Sequence, residues 1–292
     1  MKHYLLTGAT GFLGSHILVA LIEQGHKVSI IKRSTSDTWR IACLMRQVIV
    51  YDIDTVPIED AFRHQKVDAV IHTACCYGRD MEGITEVADT NLMLGLKLLE
   101  AAVSYSVKTF VNTDTLLPKN INPYSLSKKQ FVEWLQHESK HIKVVNLKID
   151  HMFGPKDDQT KFVPWLISQI EQGKNRIPLT QGHQLRDFIF IDDVVTAYLI
   201  VLTFIGQLPS YNSLDISTGN LVSVRNFATI ILEKIKTLRI DNKTTLGFGD
   251  LPSREGEPMT VHADATALRN LGWQPKYNVE ESLENYIYTV LE

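Results

Sequence analysis

Short runs of β-branched and other apolar residues alternate along the chain with longer segments in which apolar residues recur every three or four positions. The short runs are bounded by Gly or polar residues, a pattern typical of strands buried on both faces. They are residues 4–7, 28–31, 48–50, 69–71, 109–111 and 144–147. The helical period is clearest in residues 12–24, which Gly25 follows as a C-terminal cap, and it recurs in residues 85–104 and 124–136.

This alternation predicts an α/β protein with a Rossmann-type, doubly wound parallel sheet that binds its ligand at the carboxyl ends of the strands. We expect residues 1–150 to form a dinucleotide-binding domain. Residues 151–292 have longer loops, fewer alternations and several prolines. They are expected to form mainly a smaller substrate-binding lobe, with some segments returning to the Rossmann domain.

Composition narrows the functional classes. The 292 residues are 44% hydrophobic, and their net charge of -3 gives no basic surface for nucleic acid or an anionic membrane. The longest apolar stretch, at residues 197–202, is about half of a bilayer span and predicts a buried helix instead. Three cysteines, two of them adjacent, do not form a disulfide framework, and the first residues do not resemble a signal peptide. We therefore expect a cytoplasmic protein.

A glycine-rich segment follows the first predicted strand and opens the first helix. Gly8, Gly11 and Gly14 are spaced as GxxGxxG. Such glycines permit a tight turn, let a pyrophosphate approach the positive end of the helix, and allow close packing of helix and strand. Because the segment directly follows an apolar strand, we interpret it as a dinucleotide site rather than a plain Gly-rich turn, with contributions from Thr10, Phe12 and Leu13.

The end of the second strand indicates which dinucleotide binds. A carboxylate there suits the ribose 2′-hydroxyl of NAD, whereas cations suit the 2′-phosphate of NADP. Lys32, Arg33 and Ser34 occupy this position, with no carboxylate in the segment before Asp37. NADP(H) is favoured; NAD(H) is the alternative if the two cations are only solvated loop charges. Residues after the third and fourth strands are expected beside the adenine and beside the pyrophosphate and ribose, respectively: Asp52 and Ile53, then His72, Thr73 and Ala74.

Tyr124 and Lys128 form a YxxxK pair on a predicted helix. Residues four apart share a helical face, so the ammonium is expected near the phenol and near the nicotinamide ribose. A cation there lowers the pKa of the phenol and allows it to exchange a proton with a carbonyl or alcohol. The segment 112–115, at the end of the preceding strand, offers a hydroxyl to the same oxygen. The alternative is an exposed Tyr and Lys on an ordinary helix.

In this order the motifs resemble the extended short-chain dehydrogenases/reductases, the NAD(P)-dependent epimerase/dehydratase group. The resemblance spans nearly the whole chain. Beyond the glycines and the YxxxK pair, it is carried by Asp52-Ile53, Asn91, Phe153-Gly154-Pro155, the run from Arg186 to Val194, Arg254, and Leu271-Gly272-Trp273-Gln274-Pro275. It implies that Asn91 belongs to the cofactor site.

The segment 112–118 reads NTDTLLP where 4,6-dehydratases of this family have STDEVYG. The resemblance places the catalytic hydroxyl at Thr113, with Thr115 as the alternative. It retains the acid at Asp114, but Thr115 stands in place of the glutamate base that elimination of water needs. The connection from residue 118 to Tyr124 is short, and His151 replaces a frequent Asn. Elimination is therefore not expected, and keto/alcohol hydride chemistry remains.

The segments 112–115, 124–135 and 153–158, which read NTDT, YSLSKKQFVEWL and FGPKDD, resemble the CDP-4-keto-6-deoxyhexose reductases of the paratose and abequose synthase type. This resemblance implies that nicotinamide C4 delivers hydride to C4 of a nucleoside-diphosphate 4-keto sugar while Tyr124 protonates the oxygen. Arg186 and Arg254 are expected to bind the diphosphate, the alternative being surface salt bridges. The remaining substrate-binding residues are expected to be Cys76, Tyr77, Asp114 and His151.

Two other readings of the activity stay open. One is a 4-epimerase that keeps NAD tightly bound, and the other is a catalytically silent dinucleotide-sensing protein. The segment His137 to His141 matches the zinc-protease pattern HExxH, but it lies at the tail of the Tyr124 helix without a third ligand, so no metal site is expected.

The resemblance also implies a homodimer, formed by pairing the helices at residues 85–104 and 124–136 into a four-helix bundle. The apolar surface expected for this contact comes from Leu94, Leu98, Leu99, Phe131, Val132 and Leu135.

Overall fold

The computed structural model describes residues 1–79, 81–253 and 256–291. The chain divides into two compact units. Unit 1 comprises Met1–Ile149 and Val195–Asp215, and unit 2 comprises Asp150–Val194 and Ile216–Glu292.

The strands are β1 (His3–Thr7), β2 (Lys27–Lys32), β3 (Ile49–Asp52), β4 (Ala69–His72), β5 (Thr109–Thr115), β6 (Lys143–Ile149), β7 (His151–Phe153), β8 (Arg176–Leu179), β9 (Leu185–Phe190), β10 (Tyr211–Ile216), β11 (Leu221–Ser223) and β12 (Thr245–Phe248). The α-helices are α1 (Phe12–Glu23), α2 (Asp60–Arg63), α3 (Ile84–Ala88), α4 (Leu94–Ser104), α5 (Pro123–Glu138), α6 (Phe162–Glu171), α7 (Ile191–Phe204), α8 (Val224–Leu238), α9 (Thr266–Asn270) and α10 (Val279–Leu291).

A seven-stranded sheet with the order β10-β6-β5-β4-β1-β2-β3 forms the centre of unit 1. The ladders from β6 through β3 are all parallel. This confirms the Rossmann-type α/β fold and the six strands expected from the apolar runs. The sequence pattern missed β10, because polar residues alternate with apolar ones along Tyr211–Ile216.

The register of β4 against β5 shapes the edge of the sheet where the candidate site lies. The last residue of β4, His72, pairs with Asn112. Strand β5 therefore continues through Thr113, Asp114 and Thr115 beyond the end of β4. Backbone groups of this extension that face β4 need partners other than a strand.

The helical segment expected at residues 85–104 is interrupted. A single π-helical turn, Asp89–Met93, separates α3 from α4. Such turns widen the helix by one residue and are frequent at functional sites. The turn carries Asn91, whose side chain is completely buried.

Several residues that were expected to form the exposed apolar surface of α4 and α5 are buried in the structure. Leu98, Leu99, Phe131 and Leu135 are at most 2% exposed and belong to the core packed against the sheet. The exposed apolar side chains on this side are instead Ile84, Met93, Leu126 and Trp134.

Unit 2 contains a three-stranded sheet of order β11-β9-β7 and the parallel pair β12-β8. Asp193, at the start of α7, accepts the backbone N–H groups of Lys276 and Tyr277, and its carbonyl accepts the Trp273 indole N–H. The run that ends at Val194 therefore anchors the run that ends at Pro275 through Asp193. No helix of the described residues is long and apolar enough to cross a membrane.

Candidate active site

The glycine turn between β1 and α1 is shaped for close backbone approach. Gly8 adopts φ +70°, and a Cβ there would meet the Ala74 backbone nitrogen at 2.6 Å. A Cβ at Gly14 would meet the Gly8 carbonyl oxygen at 2.1 Å. Gly11 is the N-cap of α1, and no side chain caps the helix. The positive end of α1 therefore lies at the glycine turn, as binding of a dinucleotide pyrophosphate requires.

The sequence predicted two cations available to a 2′-phosphate at the end of β2, but one of them forms an ion pair in the structure. Lys32 forms an ion pair with Asp52 across the β2–β3 edge, at 3.1 Å, and the Ser34 hydroxyl donates to the same carboxylate at 2.9 Å. The carboxylate that faces this corner thus comes from β3 rather than from β2. Arg33 remains exposed.

Arg40 is a further cation beside the cofactor turn that sequence reasoning did not identify. It lies in a 3-10 turn, Trp39–Leu44, and its Nη1 donates to the Thr10 carbonyl at 3.3 Å. Its guanidinium also stacks on the Trp39 ring, 4.5 Å from the centroid. The separation of 30 residues from Thr10 gave no local signal for this contact.

His72 is built into the core rather than exposed to a ligand. Its Nδ1 shares a hydrogen bond with the Thr7 hydroxyl at 2.7 Å, and its ring packs on Phe110 and Phe131. Burial, reinforced by the charge of Lys128, lowers the pKa of His72 to about 3. In this structure no atom of the side chain is exposed, so its expected place beside the pyrophosphate stays a prediction for the backbone of this segment. Thr73 is also occupied, since its hydroxyl donates to the Thr7 carbonyl.

Asn91 positions a loop. Its amide accepts the Cys76 N–H at 2.7 Å and donates to the Cys76 carbonyl at 2.8 Å, and it donates to the Ser127 hydroxyl on α5. The side chain therefore fastens the segment after β4 to α5. The expected contribution of Asn91 to the cofactor site stays a prediction.

Helix α5 presents the YxxxK pair. Asn122 caps it in a reciprocal capping box with Ser125, and Pro123 fixes its first turn, so the helix begins directly before Tyr124. Lys128 is 1% exposed, and its ammonium has no hydrogen-bond partner among the described residues. A buried cation without a partner is costly to the fold, and it marks the place where a polar group of a ligand is needed.

The two candidate hydroxyls have different partners. The Thr115 side chain lies close enough to the Tyr124 phenol to lower its pKa, and its hydroxyl accepts the Leu117 N–H at 3.2 Å. Thr113 bonds instead to the hydroxyl of Tyr198, at 2.7 Å. In this structure the hydroxyl beside the phenol is therefore that of Thr115, the alternative rather than the first choice from the sequence.

The electrostatics of Tyr124 are opposite to the direction expected from the YxxxK spacing. Burial raises the pKa of the phenol, and Cys75 and Asp114 act in the same direction; the nearby Thr115 side chain and the charge of Arg79 oppose the rise. Burial also lowers the pKa of Lys128. In the protein alone, Tyr124 is thus a protonated phenol, a proton donor rather than an acceptor.

Asp114 is not presented to a substrate. It is 2% exposed and accepts hydrogen bonds from Lys129 at 2.7 Å, from Asn146 at 3.1 Å and from the Thr115 N–H at 2.7 Å. These groups surround its carboxylate in the protein alone, and the expected contact of Asp114 with substrate stays a prediction.

Aromatic and sulfur-bearing residues after β4 lie near the phenol. The Tyr77 ring lies 5.0 Å from that of Tyr124, and the Arg79 guanidinium lies over Tyr77. Cys76 is buried, and burial raises the pKa of its thiol to about 11. A protonated thiol does not act as a nucleophile.

The described residues of unit 2 that were expected to bind substrate form ion pairs with neighbouring side chains. Arg186 is 3% exposed and forms an ion pair with Glu257 at 2.9 Å, so it is not the free anion site that the sequence implied. His151 is exposed and pairs with Asp150 through Nδ1 at 2.7 Å. Arg254 lies outside the described residues.

The HExxH pattern does not form a single helical unit. Helix α5 ends at Glu138, whose carboxylate pairs with His137, and His141 lies in the following turn. Over the described ranges, no group of three His, Cys, Asp or Glu side chains is placed to hold a metal ion.

Residues 4–216 match the model of the NAD dependent epimerase/dehydratase family. The chain belongs to this family. The resemblance inferred from the sequence is thereby confirmed. The chain is also 30% identical to CDP-abequose synthase of Salmonella typhimurium, over 98% of each chain.

Solved structures agree on the epimerase/dehydratase fold. UDP-glucose 4-epimerase of Thermotoga maritima matches with a TM-score of 0.84 at 23% identity, over 100% of both chains. UDP-glucuronic acid 4-epimerase of Bacillus cereus matches with a TM-score of 0.83 at 24% identity, over 99% of this chain and 100% of the other. The uncapped start of α1 and the unpartnered Lys128 ammonium fit the dinucleotide that the family name implies.

Proposed function

We propose that the protein is a nucleotide-sugar oxidoreductase that reduces the 4-keto group of a nucleoside-diphosphate 4-keto-6-deoxyhexose. The observation that carries this proposal is the buried Lys128 ammonium, which has no hydrogen-bond partner among the described residues and lies on the same helix as the Tyr124 phenol. The two relatives named CDP-abequose synthase, at 30% and 28% identity over nearly the full chain, support the substrate class.

Each side chain has a defined task in this reaction. A bound nicotinamide dinucleotide would supply the hydride. Tyr124 donates its proton to the keto oxygen at C4, and the Thr115 hydroxyl beside it orients the phenol. Lys128 would hold the nicotinamide ribose of the bound cofactor, whose hydroxyls would provide the partners that its ammonium lacks.

The protonation state of Tyr124 suits the reductive step. Reduction of a keto group needs an acid that protonates the oxygen. Burial raises the pKa of the phenol, so the proton is present at neutral pH. The threonine at position 115 also lacks a carboxylate that could act as a base for elimination.

We propose NADP(H) as the cofactor. The exposed Arg33, with Arg40 beside the glycine turn, supports recognition of a 2′-phosphate. Lys32 contributes less than its position in the sequence implies, because Asp52 neutralises it.

NADPH oxidation measured against a panel of nucleoside-diphosphate 4-keto-6-deoxyhexoses tests the function, with the configuration of the product determined by NMR. We expect NADPH consumption matched by a product hydroxylated at C4, and about 100- to 10,000-fold slower consumption with Tyr124→Phe. Interconversion of C4 epimers by protein that releases bound NAD on denaturation would identify an epimerase. Absence of turnover with every keto sugar would favour a dinucleotide-sensing protein.

We further propose that the protein is a homodimer joined through α5 and the helical segment from α3 to α4. This surface exposes large apolar side chains, Ile84, Met93, Leu126 and Trp134, which are 38–73% exposed. Ile84 and Leu126 also line a cavity of about 640 Å³ beside Pro123. Light scattering at micromolar concentration tests the proposal, since a monomer would contradict it.

We also retain the cytoplasm as a proposal, supported by three free cysteines.

A further inference from the structure

We infer that Lys129 is a positioning residue that holds Thr115 in place against the Tyr124 phenol. Lys129 follows Lys128 on α5, and its ammonium donates to the Thr115 carbonyl and to the Asp114 carboxylate. The inference rests on the proposed function only for its effect on turnover; the contacts themselves are independent of the substrate.

The backbone of Thr115 needs side-chain hydrogen-bond partners because β5 extends beyond the end of β4. The Leu116 N–H bonds to the Ile149 carbonyl at the end of β6. Successive residues of a strand direct their backbone groups to opposite neighbours, so the N–H and C=O of Thr115 face the side of β4. Strand β4 has already ended at His72, three residues earlier in the register.

Two side chains replace the missing strand. The Asp114 carboxylate accepts the Thr115 N–H at 2.7 Å, and the Lys129 ammonium donates to the Thr115 carbonyl. The same two side chains form an ion pair at 2.7 Å, in which Asp114 is 1% and Lys129 20% exposed. Both backbone groups of Thr115 are therefore held by one charged pair.

The pair also connects the two elements that must meet during catalysis. Tyr124 and Lys129 lie on α5, whereas Asp114 and Thr115 lie on β5. Loss of the ammonium leaves the phenol on its helix and the β5–β6 ladder in place, but it removes the bond to the Thr115 carbonyl on the side of β4. We expect the Thr115 hydroxyl to shift relative to the phenol as a result.

The first test uses the protein labelled with ¹³C at the Cζ of tyrosine, with the Tyr124 resonance assigned by its loss in Tyr124→Phe. We expect Lys129→Met to shift this resonance in the same direction as Thr115→Val, and Lys129→Arg to restore it. Lys119→Met, which removes the Lys119–Glu133 surface ion pair, is the matched control and should leave the resonance unchanged.

A double variant separates positioning from direct electrostatics, because unpaired Asp114 would itself act on the phenol. If Lys129 acts through Thr115, Lys129→Met should add no shift in a Thr115→Val background. A full additional shift there, or no shift in the single variant, would overturn the inference. If Lys129→Met does not fold, Lys129→Met/Asp114→Asn removes both charges and is measured in its place, with Asp114→Asn as its reference.

Turnover provides the functional readout. Lys129→Met should lower kcat by about 10- to 100-fold with KM for the keto sugar nearly unchanged, and it should cost nothing further in Thr115→Val. An equal loss in both backgrounds would contradict the inference. If the wild type turns over no keto sugar, the proposed function fails, and the tyrosine resonance alone decides the role of Lys129.

Discussion

Lys128 in unit 1 and Arg186 in unit 2 are both buried cations, and the sequence assigned both to ligand binding. Lys128 is 1% exposed and has no hydrogen-bond partner in the described part of the chain. Arg186 is 3% exposed, but Glu257 and the Leu185 carbonyl accept its N–H groups. A paired cation completes the fold, whereas an unpaired one weakens the fold and is explained by a ligand. The difference locates the strongest evidence for function in unit 1.

The largest effect is expected at the acid beside Lys128. Tyr124→Phe removes only a hydroxyl, so the fold and NADPH affinity should survive while turnover falls by about 100- to 10,000-fold. Steady-state kinetics with the keto sugar measures the loss. Tyr288→Phe, at an exposed tyrosine of α10, is the control. Normal turnover in Tyr124→Phe would refute the mechanism.

Acid stability tests the surroundings of Lys128 through His72. Burial and the Lys128 charge lower the pKa of His72 to about 3. The unfolded chain, with an ordinary histidine pKa near 6.5, therefore binds a proton that the folded chain excludes. Above pH 6.5 the neutral, buried His72 costs the fold no stability. As the pH falls from 6.5 toward 3, the free energy of unfolding decreases by up to about 4–5 kcal/mol.

Urea unfolding at a series of pH values measures this loss. His72→Leu should lose less stability between pH 6.5 and 4 than the wild type, and Lys128→Met should also reduce the loss. His262→Gln, at an exposed histidine, should follow the wild type. Identical pH dependence in His72→Leu and the wild type would contradict the assigned pKa.

Opposite changes in stability are expected when each buried cation is replaced. Lys128→Met removes an unsatisfied charge and should raise the free energy of unfolding by about 1–3 kcal/mol, whereas Arg186→Met breaks a pair and should lower it by about 1–2 kcal/mol. Urea unfolding without cofactor compares them. A decrease in both variants would show that Lys128 has a stabilising partner in the fold.

The smallest effect is expected at the corner of the sheet that determines cofactor choice. Arg33→Asp removes a cation and repels a 2′-phosphate, so it should weaken NADPH binding about tenfold and affect NADH less. Fluorescence titration with both cofactors measures this, with exposed Arg46→Asp as the control. A wild type that already prefers NADH would contradict the assignment of NADP(H).

The strands and helices could be predicted from the sequence more accurately than the directions of individual side chains. Apolar runs and glycine spacing located β1 and α1 because period and turn geometry are local properties. Position at a strand end did not reveal which face a side chain takes, so His72 and Asp114 were assigned to ligands although they are buried. The Thr115 contact depends on how far β5 extends beyond β4, a property of register that the sequence does not encode locally.

Direct titration of NADPH into the wild type, Lys128→Met and Arg186→Met by calorimetry tests the central claim that the unpartnered ammonium marks the cofactor site. We predict that Lys128→Met weakens binding at least about tenfold, as expected for loss of charged hydrogen bonds, while Arg186→Met binds NADPH like the wild type. Wild-type affinity in Lys128→Met would contradict the account.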